Sequence, residues 1–486
     1  MTKVYIAIQS LVLKEGYRSM LAQGDSAEEQ SFIARLALKA KRVFHRIEPV
    51  KILVFGYLAI ILTGALLLML PFSSKDNVST PFIDSLFTSC SATCVTGLVV
   101  FDTFTHWTVF GQLVLLCLIQ IGGLGFMSMA IVIVTFTGKK IGYGQRILMQ
   151  ESISGPQVGG VVRMARFVIS RALFVEVAGA VIISLSLIPQ MGWKNGIFFS
   201  VFHSVSAFCN AGFDIFGKYG ERSSLIHFND DPIIIMTIAL LIICGGLGFY
   251  VWDDIRTNRL HWKKYKLHSK LVLSTTAALI AAGTVLLFAI EYNSPAFKGM
   301  GVMQKLMNAF FMAVTPRTAG YNSVDTALML EPSLLLTIVL MLIGGSSGST
   351  AGGIKTTTFS VLITNFFVVS KRHTNLQAFR RRMDDSVLKN AVTIVSAYLV
   401  LFLFVSLAIS VIENLPVIDC MYEAVSAIGT VGLTTGITGG LGVISKCLLI
   451  FLMYFGRVGC LTIIYAIRKN GGPELSKLPL EKVAVG

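Results

Sequence analysis

A short signature built on a glycine recurs four times along the chain. Its copies are Val95-Thr96-Gly97-Leu98, Asn210-Ala211-Gly212-Phe213, Thr318-Ala319-Gly320-Tyr321 and Thr430-Val431-Gly432-Leu433, with the glycines 115, 108 and 112 residues apart. The residues before three of the copies also rhyme: Phe87-Thr88-Ser89-Cys90-Ser91-Ala92, Phe202-His203-Ser204-Val205-Ser206-Ala207 and Glu423-Ala424-Val425-Ser426-Ala427. A second glycine signal follows each copy. Gly122-Gly123-Leu124-Gly125-Phe126 and Gly245-Gly246-Leu247-Gly248-Phe249 are near duplicates, and Gly344-Gly345-Ser346-Ser347-Gly348 and Gly456-Arg457-Val458-Gly459 are drifted counterparts. Self-similarity of this kind restricts the fold to four equivalent units.

The solvent of those units follows from composition. Of 486 residues only 14% are charged and 54% are hydrophobic, against about 25% charged in soluble domains. An ordinary soluble or disordered chain is excluded. Eight apolar runs are long enough for a hydrocarbon layer of roughly 30 Å: Ile52–Leu70, Leu113–Thr135, Val168–Ile188, Ile233–Trp252, Leu271–Ile290, Leu334–Ile343 continuing brokenly to Val369, Ala391–Ile412 and Val443–Ile467. Between them lie four shorter semi-apolar stretches, Pro81–Phe101, Gly196–Phe216, Val302–Asn322 and Pro416–Thr435, each carrying one signature. They read as re-entrant segments, because non-helical backbone at membrane depth is tolerated only where it is buried or lines a wet cavity. The expected fold is an all-α integral membrane protein of four tandem helix–pore-loop–helix repeats around a pseudo-fourfold pore. The expected boundaries are a segment 1–50, repeats at 51–137, 138–252, 253–370 and 371–470, and a tail 471–486.

The net charge of +15 is unevenly placed. Loops 138–171, 252–270 and 371–389 hold 18 Lys/Arg against 5 acids, whereas 71–107, 190–231, 291–331 and 413–440 hold 7 against 13. The positive-inside rule puts the basic loops and both termini in the cytoplasm, and no nucleic-acid partner is implied. The acidic side then faces outward, where a negative vestibule concentrates cations, unless these charges report topology alone. No cleavable apolar core precedes Gln30. The eight cysteines form no CxxC pair and have no histidine at zinc spacing, and they read as small buried hydrophobes.

Four glycine turns around one axis favour cation conduction. Each glycine lets the backbone take φ > 0, so successive carbonyls face one way. Rings of such oxygens replace the hydration shell of a bare monovalent cation. The short helices aim their negative dipole ends at the same path. A single glycine turn would be an ordinary connection; four at one period would not.

With these motifs, the chain resembles the TrkH/KtrB/HKT superfamily of K⁺ transporters over residues 50 to 470. Thr318-Ala319-Gly320-Tyr321-Asn322 and Gly344–Lys355, followed by Thr356-Thr357-Thr358-Phe359, look most like the KtrB subfamily. The resemblance implies that backbone carbonyls of Val95, Thr96, Asn210, Ala211, Thr318, Ala319, Thr430 and Val431 coordinate K⁺, with Gly97, Gly212, Gly320 and Gly432 at the turns. Some plant relatives carry serine at the first position and prefer Na⁺, so Gly97 implies K⁺ preference. The run Gly344, Gly345, Ser346, Ser347, Gly348, Ser349, Thr350, Ala351, Gly352 and Gly353 would be an intramembrane gating loop below the filter. Arg457 would project into the pore as an electrostatic barrier, its alternative being to snorkel to the interface. Lys355 is either a second such charge or a snorkelling one. Arg317 reads as a filter support, or as a partner of Asp325. Asp102, Asp214 and Asp325 either attract cations or cap the next element. The resemblance further implies plasma-membrane location, K⁺ as substrate with no cofactor, Na⁺ left open as a coupling or activating ion, a homodimer with one pore per subunit, and a cytosolic ring of KtrA-like, nucleotide-binding RCK subunits.

Competing readings are weaker. Gly345-Ser346-Ser347-Gly348 matches the GxSG of intramembrane serine proteases, but no histidine lies in a later spanning run. Gly348–Thr356 is one residue too long for a phosphate-binding loop and leaves a membrane helix, not a strand. An enzyme is therefore not expected. A Na⁺-coupled solute symporter usually shows two-fold repeats and an intramembrane carboxylate. Here Glu176 is nearly the only acid within the spanning runs, and it lies near an end. A Na⁺- or NH₄⁺-conducting relative also stays open.

Overall fold

The computed structural model describes residues 49–125, 161–259, 261–372 and 375–467, with 479 and 481. Expectations for 1–48, for 126–135 of the second run, for the loop part 138–160 and for most of the tail lie outside the described residues.

The first helix of each unit is long. These helices are α1 (Pro49–Leu68), α4 (Val161–Phe208), α7 (Leu267–Glu291) and α11 (Asp385–Glu413). They are the four described single helices long and apolar enough to cross a membrane. In α1, Leu53, Tyr57, Ile61, Ala65 and Leu68 form the buried stripe at helical spacing, while Phe55, Leu58, Leu62 and Leu66 are exposed. Both faces are apolar, as expected of a helix packed on one side and bathed in lipid on the other. Helix α4 is two helices joined at Gly192 (φ 78°), so the second repeat's first helix runs directly into its re-entrant helix, 193–208.

The other re-entrant helices are α2 (Phe82–Cys94), α8 (Val302–Val314) and α12 (Val417–Gly429). Pro81 and Pro416 stand at the N-caps of α2 and α12, a position that needs no backbone donor. Each short helix lies in, or begins just before, one of the four segments singled out in the sequence.

The second helices correct the sequence expectation, except for the sixth run, which already reads as broken in the sequence. They are not continuous spans. The described part of the second run is α3 (Val109–Leu124), a helix that stops at Gly125 (φ 80°). The fourth is α5 (Pro232–Gly246) and α6 (Phe249–Asn258), bent by 92° beside Gly248 (φ 89°). The sixth is α9 (Glu331–Leu342) and α10 (Thr356–Ser370) with an irregular loop between them. The eighth is α13 (Val443–Val458) and α14 (Cys460–Ile467), broken at Gly459 (φ 91°). Glycine alone takes these angles without a Cβ clash, so run length overstated the helices.

The glycine three residues before each single-residue break has its own purpose. A methyl group on Gly122, Gly245 or Gly456 would lie 2.1, 2.0 or 2.1 Å from the carbonyl oxygen of Thr93, Phe208 or Ile428. Each of these carbonyls sits four residues before a signature glycine. The second helices thus seat directly on the ends of the re-entrant helices. Gly245→Ala is expected to lower stability by about 2 kcal/mol through overpacking, read as a lower Tm of purified protein in detergent; an unchanged Tm would contradict this seating.

The chain closes on itself. One core unites the first and second units through Trp107, Phe202, Phe208 and Phe216. Another unites the first and last through Phe87, Tyr398, Tyr422 and Leu449. Lys446 of α13 pairs with Asp84 of α2 at 2.7 Å across that second junction. All eight cysteines are free thiols. Five are buried, whereas Cys117 and Cys447 lie on exposed helix faces, so the buried reading does not hold for them.

Candidate functional site

Each re-entrant helix ends by turning its backbone left-handed. Val95, Asn210, Thr318 and Thr430 have φ of 59°, 60°, 70° and 51°, and Gly97, Gly212, Gly320 and Gly432 have 96°, 68°, 77° and 96°. The sequence pointed only to the glycines. A β-branched residue at positive φ is an outlier, and three of the four partners are Val or Thr. The intervening amides turn back into the helix: Thr96 N–H donates to Ser91 O, Ala211 N–H to Ser206 O and Val431 N–H to Ser426 O, each at 2.8 Å. In the third unit Ala319 N–H donates to Thr315 O at 2.9 Å. The donors thus point backward into the helix that each turn ends.

Hydroxyls behind the turns hold the outgoing strand. Ser91 and Ser426 accept from the Gly97 and Gly432 amides at 3.1 and 2.9 Å. Ser206 donates to Phe213 O at 2.8 Å and Thr315 to Tyr321 O at 2.7 Å. Tyr321 crosses between units, donating to Phe213 O at 3.1 Å. The three serines were visible as a rhyme but had no assigned role, and Thr315 was not singled out.

The four turns form a closed ring. A methyl group on Gly97 would lie 2.5 Å from Ala211 O, on Gly212 2.5 Å from Ala319 O, on Gly320 2.3 Å from Val431 O, and on Gly432 2.2 Å from Thr96 O. Each glycine therefore abuts the carbonyl of the next unit, in the order first, second, third, fourth, first. Thr96 Oγ1 and Thr430 Oγ1 are buried here without a hydrogen-bond partner. The Asn210 amide meets Thr318 Oγ1 at 3.3 Å.

The irregular loop of the third unit forms the floor. A methyl group on Gly352 would lie 2.1 Å from Thr430 Oγ1, and one on Gly344 3.2 Å from Thr318 Cγ2. The loop is tied down by Gly344 N–H to Ile354 O (2.9 Å), Ser346 N–H to Gly246 O (2.9 Å) and Thr356 N–H to Gly345 O (3.0 Å). Thr350 is its anchor on the second unit, through its amide to Gly245 O (3.3 Å) and its hydroxyl to Phe208 O (3.2 Å). Side chains add Ser347 to Thr357 at 2.9 Å and Ser349 to Ser346 O at 2.6 Å. The Gly348 carbonyl accepts from Phe249 N–H at 2.7 Å.

Two cations meet this loop from below. Arg457 donates to the carbonyls of Thr350 and Gly122, and to that of Gly123 at 3.2 Å. It joins the loop to the end of α3 and does not snorkel. Lys355 donates to Ala351 O at 2.7 Å and likewise turns inward. Both line a cavity of about 200 Å³, together with Tyr57, Ser349, Gly353 and Thr462.

On the opposite side a second cavity is bounded by the four glycines and by Asp102, Asp214, Arg222, Asn322 and Thr434. Asp102 caps the Phe104 and Thr105 amides at 2.9 and 2.8 Å and accepts the Arg222 amide at 2.9 Å. Asp214 accepts from Phe216 N–H at 3.1 Å. Burial, and then the nearby Asp102 carboxylate, push Asp214 up to about 7. Asp325 caps Ala327 N–H at 3.0 Å and makes no ion pair with Arg317 among the described residues. Arg317 is buried behind the third turn, with Nη1 unpartnered. Arg222 was not singled out from sequence; it donates to Val100 O at 2.6 Å and so clips the strand leaving the first turn.

Glu176 also differs from expectation. Counted from Val168 it is the ninth residue of a 21-residue run, so it stands mid-run and not near an end; it is buried, with both oxygens accepting from Gln120 Nε2 at 3.1 Å.

The sequence profile of the TrkH cation transport protein family matches residues 40–472. The chain is 41% identical to the potassium/sodium uptake protein NtpJ of Enterococcus hirae, over 93% of this chain and all of that one. It is 41% identical to the Ktr system potassium uptake protein B of Bacillus subtilis, over 87% of this chain and 94% of that one. With the Vibrio alginolyticus protein of the same name it shares 36% over 90% and 95%. The crystal structure of the potassium transporter TrkH from Vibrio parahaemolyticus shares the fold, with a TM-score of 0.68, 19% identity, and coverage of 86% and 84% of the two chains.

Proposed function

Because the chain belongs to the TrkH family of cation transport proteins, we propose that it is the ion-conducting subunit of a Ktr-type system for K⁺ uptake across the plasma membrane. The observation that carries this reading is the closed ring in which each signature glycine abuts the neighbouring unit's carbonyl. Such a ring leaves no room for side chains. It offers oxygen ligands with no fixed negative charge, which suits a dehydrated monovalent cation.

On this reading the carbonyls of Val95, Thr96, Asn210, Ala211, Thr318, Ala319, Thr430 and Val431 are the K⁺ ligands. The cation enters past Asp102 and Asp214, sheds water at the ring, and is stopped below by the loop 344–353. Arg457 and Lys355 hold that loop and place positive charge on the path. The basic loops and both termini lie in the cytoplasm. The chain works as a homodimer on a cytosolic nucleotide-binding ring of KtrA type, whose ATP-bound form pulls the loop open. The Ktr names of the relatives, which imply a multi-subunit system, support a separate partner.

The test is cation flux into proteoliposomes holding the purified chain, beside Gly97→Ser. K⁺ and Rb⁺ are expected to exceed Na⁺, and the serine variant to lower that preference by roughly tenfold, because a side chain at positive φ next to Ala211 O reshapes the ring. Absence of monovalent flux, with or without cytosolic partner, sinks the reading and leaves a Na⁺-coupled solute symporter in front.

A further inference from the structure

The residue nine positions before each signature glycine differs in every unit: Thr88, His203, Phe311 and Glu423. Two of these are ionisable, and both bond the segment that leaves the turn. His203 is fully buried, and its Nδ1–H donates to Phe199 O at 2.7 Å, which leaves Nε2 to accept the Ile215 amide at 3.3 Å. Glu423 is also fully buried and takes its hydrogen bonds from threonine hydroxyls of the segment after its own turn. Ile215 stands three residues after its glycine, and Thr434 two after its own. Around the ring, second and fourth units face one another. Opposite sides of the ring are therefore each backed by a buried ionisable side chain, His203 through a backbone amide and Glu423 through hydroxyls. Phe311 has no acceptor to offer, and Thr88 donates its hydroxyl to Asp84 O at 2.8 Å instead.

Glu423 does more than His203. It accepts from two hydroxyls, those of Thr434 and of Thr438, the latter at 2.8 Å. Thr434 in turn accepts the Gly436 amide at 2.8 Å and meets Thr438 Oγ1 at 3.1 Å. Among the described residues no lysine or arginine pairs with this carboxylate. Thr434 and Thr438 line the outer cavity and Glu423 stands behind them. A buried carboxylate without a counter-ion, satisfied wholly by the strand that leaves the ring, is a costly group to retain for packing alone.

We propose that Glu423 is a positioning residue for ion selectivity: it holds the segment Thr434–Thr438 and thereby fixes how far the fourth unit's carbonyls stand from the axis, with His203 as its counterpart across the ring. The proposal rests on the carbonyl-filter reading above. A carbonyl ring free to contract would accommodate a smaller cation, so support from behind bears on selectivity more than on rate.

The experiment measures Rb⁺ and Na⁺ flux in proteoliposomes for wild type, Glu423→Gln, Glu423→Ala and Thr438→Val. Glutamine keeps both bonds: its oxygen accepts from the Thr434 hydroxyl and its nitrogen donates to Thr438 Oγ1, whose own proton rotates to suit. Its Rb⁺/Na⁺ ratio is expected within about twofold of wild type, while alanine lowers the ratio roughly tenfold, mainly by admitting Na⁺. Thr438→Val, which removes one donor and leaves Glu423 in place, is expected to fall between them and decides with glutamine should the alanine variant not fold. The proposal is overturned if the alanine or valine variant keeps the wild-type ratio, whether or not total flux drops, or if glutamine loses the ratio as fully as alanine. A wild type without Rb⁺ preference would instead remove the filter reading itself.

Discussion

A Gly320→Ala chain is expected to assemble in the membrane and carry almost no potassium. Gly320 has φ of 77°, and its new methyl group would lie 2.3 Å from Val431 O, a backbone atom that cannot swing away. The left-handed backbone alone costs an alanine about 1–2 kcal/mol. The contact must then be relieved by moving either the third or the fourth unit's carbonyls. With a strain of about 3 kcal/mol at the ring, flux falls on the order of a hundredfold. Rb⁺ uptake into proteoliposomes and growth of a K⁺-uptake-deficient host at low external K⁺ both read this. Gly301→Ala is the matched control, because nothing lies within 4 Å of a methyl group there and its φ is negative. If Gly320→Ala and the control transport equally, the carbonyl ring is not the conduction path.

The second large effect is expected at Arg457, with the opposite sign. Its guanidinium holds the carbonyls of Thr350, Gly122 and Gly123 together, so that the loop beneath the ring is fastened to the end of α3. Charge-assisted hydrogen bonds of this kind contribute about 1.5–3 kcal/mol each. Arg457→Gln keeps some polarity but cannot span three acceptors, and it removes positive charge from the path. Basal K⁺ flux without any cytosolic partner should therefore rise by roughly tenfold or more. Lys355→Met is expected to act in the same direction and less strongly, since Lys355 ties only Ala351 O, within the loop. Unchanged or reduced basal flux in Arg457→Gln would mean that the arginine supports an open path and does not bar a closed one.

Legibility differed by element. The first helices and the re-entrant helices follow from apolar runs and proline starts, because lipid and backbone hydrogen bonding act locally. The breaks in the second helices did not follow, apart from the one in the sixth run. Whether Leu124-Gly125 or Gly248-Phe249 continues a helix depends on what the backbone packs against, and run length carries no φ. The partners of Arg317 and Arg457 were equally hidden. Proximity along the chain suggested Asp325 for Arg317, and that pair does not form. Arg457 reaches carbonyls more than a hundred and more than three hundred residues away.

Sequence alone determined that this is a membrane protein of four like units, each turning at one glycine, and it placed the loop 344–353, Lys355 and Arg457 as exceptions within the apolar pattern. Those conclusions rest on composition, period and the unique freedom of glycine, all of which are properties of short segments. Only the tertiary structure decided that the four turns close in cyclic order, that Val95, Asn210, Thr318 and Thr430 turn left-handed with the glycines, that Thr350 and Arg457 fasten the floor, and that Glu423 and His203 stand behind opposite sides of the ring. Each of those depends on contacts between units, whose distances no single repeat contains.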